Sequence, residues 1–235
     1  YTSASACQGV YTKSTCTADS NGCYNPSACA SGYTKSCSGG TLSGTDGYGC
    51  GTCTTDSCTV KTYPAFTTAL ENANCTTVTL ASDIDGSTDD IDSFLTIPAN
   101  KTVNGAGYEL KMSRTISPSD GVTIKNLTII NVNYDGDGGA IYFSNSATSG
   151  TVSNCNFADN TATYGGAVYF SSTGTVSNCN FTDNSATVSS GAIRMSSGSV
   201  ENCNFTGNTA TGEGGAINMG SGSVSNCNFT GNNAT

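Results

Sequence analysis

One phrase is stated twice between Val200 and Asn232: VENCNFTGN returns as VSNCNFTGN, so that Cys203 of the first becomes Cys227 of the second. Cys155, Cys179, Cys203 and Cys227 keep that interval throughout. So do Phe157, Phe181, Phe205 and Phe229, and Asn160, Asn184, Asn208 and Asn232. A fixed period of this length marks stacked repeats, in which each unit buries its apolar face only against its neighbours. Gly, Ser, Thr and Asn crowd the segment and disfavour helical units. Apolar residues alternate instead: Ile193 and Met195 flank Arg194, Ile217 and Met219 flank Asn218, and Cys203 and Phe205 flank Asn204. Period two means a strand with one buried and one wet face. The parity breaks between Val200 and Cys203, at Asn202, a residue type that tolerates left-handed backbone and can turn a corner. The sequence therefore predicts an all-β parallel β-helix with 24-residue coils. The Cys and Phe series are its inward ladders. The Asn160, Asn184, Asn208 and Asn232 series marks its turns.

Two signatures recur through these coils. GGAI stands at Gly138–Ile141 and Gly214–Ile217, with variants at Gly165–Val168 and Ser190–Ile193. FxxN stands at Phe157/Asn160, Phe181/Asn184, Phe205/Asn208 and Phe229/Asn232. This pairing resembles the repeats of the polymorphic outer membrane proteins and related adhesin-like surface proteins. The resemblance implies a right-handed parallel β-helix on a cell surface, with adhesive or structural roles. The membrane barrel of that family has no counterpart in this sequence.

The N-terminal segment, 1–58, reads differently. It holds Cys7, Cys16, Cys23, Cys29, Cys37, Cys50, Cys53 and Cys58, and few apolar residues. A segment with so small a core needs cross-links, and an even count predicts four disulfides within it. YTKSTC at Tyr11–Cys16 and YTKSC at Tyr33–Cys37 point to an internal duplication. The CxxC at Cys50 and Cys53 is a zinc candidate by spacing, but the chain has no histidine and its cysteine richness favours disulfides. Next, TYPAFTTALENA (62–73) predicts a short helix with Pro64 in its first turn and Phe66, Ala69 and Leu70 on one face. It is expected to plug the core of the coils. The domain reading is a Cys-rich module at 1–58, a linker and capping helix at 59–74, and the β-helix at 75–235. Val78 and Leu80 open its first strand, and Leu127 and Ile129 take the places later held by Cys and Phe. Cys75 is left to join the module or a neighbouring chain.

Composition narrows the function. A net charge of −9 with only 8 Lys and Arg argues against nucleic acid and against anionic membranes. No apolar run is long enough to insert in a membrane. Thirteen cysteines point to a secreted chain at an extracellular or cell-surface location. Zero histidine removes Ser-His-Asp, Cys-His and His-ligated metal chemistry. The scaffold also resembles that of pectin lyases and polygalacturonases, which use clustered Asp, Ca²⁺ and a basic residue on an outward strand face. The outward columns expected here are Tyr142, Tyr169, Arg194, Asn218; Ser153, Ser177, Glu201, Ser225; and Asn156, Asn180, Asn204, Asn228. None is an acidic cluster. Asp137 and Glu213 fall three coils apart, roughly 14 Å, beyond the separation of glycosidase carboxylates. Asp159 and Asp183 fall on adjacent coils, but their column continues as Gly207 and Gly231, which reads as turn chemistry.

The remaining candidates are weaker. Asp83, Asp85, Asp89, Asp90 and Asp92 could hold Ca²⁺, or form a solvated acidic loop; no other cofactor is expected. Sequons stand at Asn74, Asn100, Asn126, Asn180, Asn204, Asn228 and Asn233. The Cys ladder is read as buried thiols, in preference to Cys155–Cys179 and Cys203–Cys227 bonds. The chain opens on Tyr1 and its last coil stops before a further GGAI. A removed leader or a fragment fits the first feature. Head-to-tail association of copies into a filament, or membership of a longer β-helix adhesin, fits the second. The function expected is a non-catalytic extracellular structural or adhesive protein. A carbohydrate-active β-helix and a glycan-binding module built on Tyr142 and Tyr169 are the alternatives.

Overall fold

The computed structural model describes residues 58–88 and 94–235, with the backbone of four short strands before them. The chain divides into two compact units, 1–57 and 58–235. In the first, Gly9–Tyr11, Lys35–Cys37, Gly40–Ser43 and Thr52–Thr55 form an antiparallel sheet in that order. The side chains of Cys7, Cys16, Cys23, Cys29, Cys37, Cys50 and Cys53, and the pairings expected among them, lie outside the described residues.

The second unit is a parallel β-solenoid of roughly seven turns. Val78, Val103, Ile124, Val152, Val176, Val200 and Val224 stack in one register column of the main sheet. The early steps of that column, from Val78 through Val103 and Ile124 to Val152, are unequal in length. From Val152 onward every step is the same interval that separates the ladder cysteines. Irregular coils thus precede the regular ones. A second run of strands, from Leu95–Ile97 to Ile217–Met219, joins the same sheet through the long strands Val168–Ser177 and Ile193–Glu201. Two further sheets complete each regular coil. One runs from Thr128–Ile130 to Asn228–Thr230, the other from Thr161–Tyr164 to Asn233–Ala234.

Local chemistry sets the corners. Asn154, Asn178, Asn202 and Asn226 all adopt left-handed backbone, with φ of 52°, 54°, 55° and 51°. This is the parity break expected at Asn202. At the second corner the column that reads as turn chemistry makes the turn, and the Asn160 series expected to mark it does not. Its left-handed residues are Asp159, Asp183, Gly207 and Gly231 (φ 55°, 53°, 68° and 64°). The asparagine that follows each of the first three turns inward: Asn160, Asn184 and Asn208 are fully buried. The third corner explains GGAI. Gly138, Gly165 and Gly214 have positive φ, and Ser190 takes the same conformation in the variant. At the next glycine there is no room for a side chain, because a Cβ on Gly166 would collide with the carbonyl oxygen of Gly191.

The interior is a set of like-on-like stacks. Phe157, Phe181, Phe205 and Phe229 have neighbouring ring centroids 5.0, 4.9 and 4.9 Å apart, with planes within 11° of parallel. Phe143 and Phe170 stack at 4.5 Å. On the last described coil the stack opens: Phe229 is 51% exposed and Val224 44%.

The first coil is closed by helix Tyr63–Glu71. Thr62 caps it by accepting a hydrogen bond from Ala65 N (3.4 Å), and Tyr63, Phe66, Ala69 and Leu70 are buried. Two sequence readings need correction here. Thr59–Val60 pairs in parallel with Thr79–Leu80, so the sheet begins ahead of the helix, within the stretch read as linker. And Cys58 does not pair within the Cys-rich module. It forms a disulfide with Cys75, Cα–Cα 5.3 Å, because the two residues lead into adjacent strands of the sheet and bracket the helix. Lys101 ties the same region together. Its side chain is buried and Nζ donates to the carbonyls of Asn72 and Cys75, both at 2.7 Å. Lys101→Met keeps the packing and deletes both bonds. It is expected to cost about 1.5–3 kcal/mol, the range for hydrogen bonds to a charged group, read from urea unfolding.

Candidate functional site

The densest outward chemistry is one column. Tyr142, Tyr169, Arg194 and Asn218 are register partners on successive coils. Each lies between two inward apolar neighbours of its strand, such as Ile141 and Phe143 or Ile193 and Met195. That parity forces the four side chains out onto one face. The Tyr142 and Tyr169 rings lie 5.2 Å apart with a 35° tilt. The Arg194 guanidinium sits 5.6 Å from the Tyr169 ring and 4.7 Å from the Tyr164 ring. Tyr164 arrives from the neighbouring sheet, at the position just before the Gly165–Gly166 corner, where Asp137 stands one coil earlier. Two cation–π contacts of this kind contribute about 0.5–1 kcal/mol each at an exposed site, and they fix the arginine's orientation.

The polar groups around it are ordered too. Ser171 Oγ donates to Tyr142 Oη (3.2 Å), and Asn218 Nδ2 donates to Glu213 Oε2 (2.9 Å). Burial holds the Asp137 carboxyl above its ordinary range, partly offset by the Arg194 charge. Among the described residues the one ion pair is Lys111–Asp85, so no carboxylate sits within salt-bridge distance of Arg194.

Residues 57–175 match the family of pectate lyase-like adhesive domains. The chain belongs to that family. The match runs through the irregular coils and includes Tyr142, Tyr164 and Tyr169; Arg194 and Asn218 follow on coils that continue the same register. Neither the curated proteins nor the solved structures hold a match to this chain. The family's description as adhesive leans toward a binding role and toward a surface protein. No described helix is long and apolar enough to cross a membrane.

The other sequence candidates fall elsewhere. The exposed asparagines form an outward amide ladder: Asn180 donates to Asn156, Asn204 to Asn180 and Asn228 to Asn204, at 2.8–2.9 Å. In each of these three sequons the nitrogen that a glycan would take is thus already engaged. Asn126 Nδ2 is engaged with Asn104 Oδ1 (2.9 Å). Asn74, Asn100 and Asn233 are exposed. Asp85 pairs with Lys111 Nζ at 2.9 Å. Its carboxyl lies well below the usual range, first through the Ser87 hydroxyl and then through Lys111. Asp83 accepts from Glu109 N (2.9 Å). Asp89, Asp90 and Asp92 lie outside the described residues, so the calcium reading rests on the sequence alone. Asp159 and Asp183 sit at their left-handed turns.

Cys155, Cys179 and Cys203 are buried free thiols, and Cys227 is a partly exposed one. Each backbone N–H of the first three donates to the next sulfur at 3.4 Å. The Cys179 thiol is pushed up to about 12, first by its hydrogen bond with Cys155 and further by burial. Iodoacetamide applied to the folded protein is expected to label Cys227 and spare the other three ladder thiols. Peptide mass spectrometry reads the order, and labelling of Cys179 as fast as Cys227 would contradict the stacked interior.

Alternation in the sequence shows the column of Tyr142, Tyr169 and Arg194. It does not show Tyr164, at the end of a strand in another sheet, or Asp137, bridged to it one coil earlier. Their signal is the residue near each Gly-Gly or Ser-Gly pair, which the corner turns toward the column.

Proposed function

We propose that this chain is a non-catalytic adhesive protein that acts outside the cell, with the Tyr142–Asn218 column as its contact face for glycans of a host or environmental surface. The observation that carries this reading is the Arg194 guanidinium held between two tyrosine rings with no carboxylate partner among the described residues. A cation oriented in this way is prepared for a ligand, since little side-chain freedom is left to lose on binding. Family membership supports the adhesive part. The non-catalytic part is supported by how the outward positions are filled. A lyase uses such a face for clustered acids, whereas here the register columns carry phenols, amides and hydroxyls with single charges at Arg194 and Glu201.

Glycan-coated beads test the reading. Tyr169→Ala and Arg194→Gln should each reduce retention about tenfold, the equivalent of ~1.4 kcal/mol, with the fold kept and melting lowered by only a few degrees through the lost ring contacts. Incubation with polygalacturonate should release no unsaturated product. Accumulation of such product would make the chain an enzyme and end the non-catalytic reading.

A further inference from the structure

We infer that the strand recognised by this column is an uncharged polysaccharide, read through its hydroxyl groups, and not a polyuronate. The inference rests on the glycan-contacting reading of the same face and names its ligand class.

Charge is the first reason. Arg194 is the one cation of the column, and although no described carboxylate pairs with it, two carboxylates belong to the same face. Asp137 is close enough to feel its charge. Glu213 is hydrogen-bonded to Asn218, the register partner of Arg194 on the next coil. A polyanion laid along these coils would bring its acidic groups against Asp137 and Glu213 for each one that reached Arg194. It would also approach a chain of net charge −9, whose field opposes the encounter.

The hydrogen-bonding inventory is the second reason. Sites for carboxylate or sulfate are built from donors, with arginine forks foremost. This column mixes both kinds: guanidinium donors at Arg194, acceptors at Glu213 and Asp137, an amide at Asn218, and phenol groups at Tyr142 and Tyr169 that donate and accept. A sugar hydroxyl also donates and accepts, so a mixed set satisfies neighbouring hydroxyls where a donor set would not. Paired hydroxyls can donate into one carboxylate while a third accepts from the guanidinium.

Spacing is the third. Tyr142 and Tyr169 are 5.2 Å apart by ring centroid, one coil of a parallel sheet. That is close to the advance per residue of an extended pyranose chain. A strand running up the column therefore meets one new polar side chain per sugar. The rings stack on each other and Arg194 covers one of them, so the tyrosines offer edges and hydroxyls more than open faces. This favours hydroxyl recognition over ring stacking.

Calorimetric titration of the whole chain with hexasaccharides decides it. The probes are cellohexaose, xylohexaose and mannohexaose as neutral strands, and hexagalacturonate as the acidic one. At least one neutral hexamer should bind, with an affinity nearly independent of salt. Arg194→Gln and Glu213→Gln should each weaken it about tenfold while the protein stays folded, with melting lowered by no more than a few degrees. Hexagalacturonate binding more tightly than every neutral hexamer, and weakening steeply with salt, would overturn the inference and leave the adhesive reading in place. Neutral binding indifferent to Arg194→Gln, Glu213→Gln and Tyr169→Ala would place the ligand elsewhere and overturn the site. Binding of none of the four would overturn both this inference and the glycan-contact reading beneath it.

Discussion

Phe181→Ala will destabilise the solenoid by about 3–5 kcal/mol, the range for deleting a fully buried aromatic ring. Phe181 is fully buried, and its ring is held from both sides, 5.0 Å from Phe157 and 4.9 Å from Phe205. Removing it leaves a void that neither neighbour can fill, since each is fixed in register by its own strand. Phe229→Ala is the internal control. That ring stacks on one neighbour only and is half exposed, so its loss should stay below about 1.5 kcal/mol. Urea unfolding followed by circular dichroism measures both. Equal losses at the two positions would mean that the phenylalanines do not form one graded stack.

Asn184→Ala will cost at least ~3 kcal/mol, through groups it strands and not through volume. Asn184 Oδ1 accepts from Asn160 N (3.1 Å) and Asn160 Nδ2 (3.0 Å). Its own Nδ2 donates to Phe157 O (3.1 Å) and Asn208 Oδ1 (3.0 Å). All of this lies in the dry interior, where Asn160, Asn184 and Asn208 are fully buried. Alanine leaves Asn160 N, one Asn160 Nδ2 hydrogen and the Phe157 carbonyl short of a partner with no water to replace it, while Asn208 Oδ1 keeps its bond from Asn184 N (3.0 Å). Asn180→Ala removes the same residue type from the outward ladder. Water can take over there, and the expected change is about 0.5 kcal/mol or less. The contrast between two asparagines of one coil separates an internal amide ladder from an external one. Comparable losses in the same unfolding experiment would contradict that assignment.

The contrast also shows what the sequence could express. Strict recurrence and period-two alternation determine which residues share a column and which face they take. Cys203, Phe205, Arg194 and Asn204 could be placed from the chain alone. Asn208 could not. Its place in the repeat is regular, but its direction depends on the left-handed Gly207 before it, and Asp, Gly and Asn all suit such a corner. Thr59–Val60 is too short to carry a periodicity; it exists through pairing with Thr79–Leu80. Cys58–Cys75 depends on the same pairing. The irregular coils are legible only in part, since loops within them change the step from one coil to the next. At the candidate site, alternation exposes Arg194 but says nothing of Tyr164, on the preceding coil, whose ring meets it across a corner. Contacts across coils are fixed by coil length and corner geometry together, and the repeat reveals only the first.

The central claim is that the interval from one ladder cysteine to the next makes one whole coil, and that coils stack in a single register. Deleting Asn180–Cys203 tests it most directly. The cut removes one period and joins Cys179 to Asn204, so the phrase NCNFTGN is restored across the junction. The account predicts a folded, shorter solenoid with a cooperative thermal transition and Asn156 in register with Asn204. Deleting half of that segment should abolish the transition, because it turns the inward residues of later strands away from the stack. If the whole-coil deletion unfolded the protein as thoroughly as the half-coil deletion, the repeat would not be a structural coil and the outward column built on it would not exist.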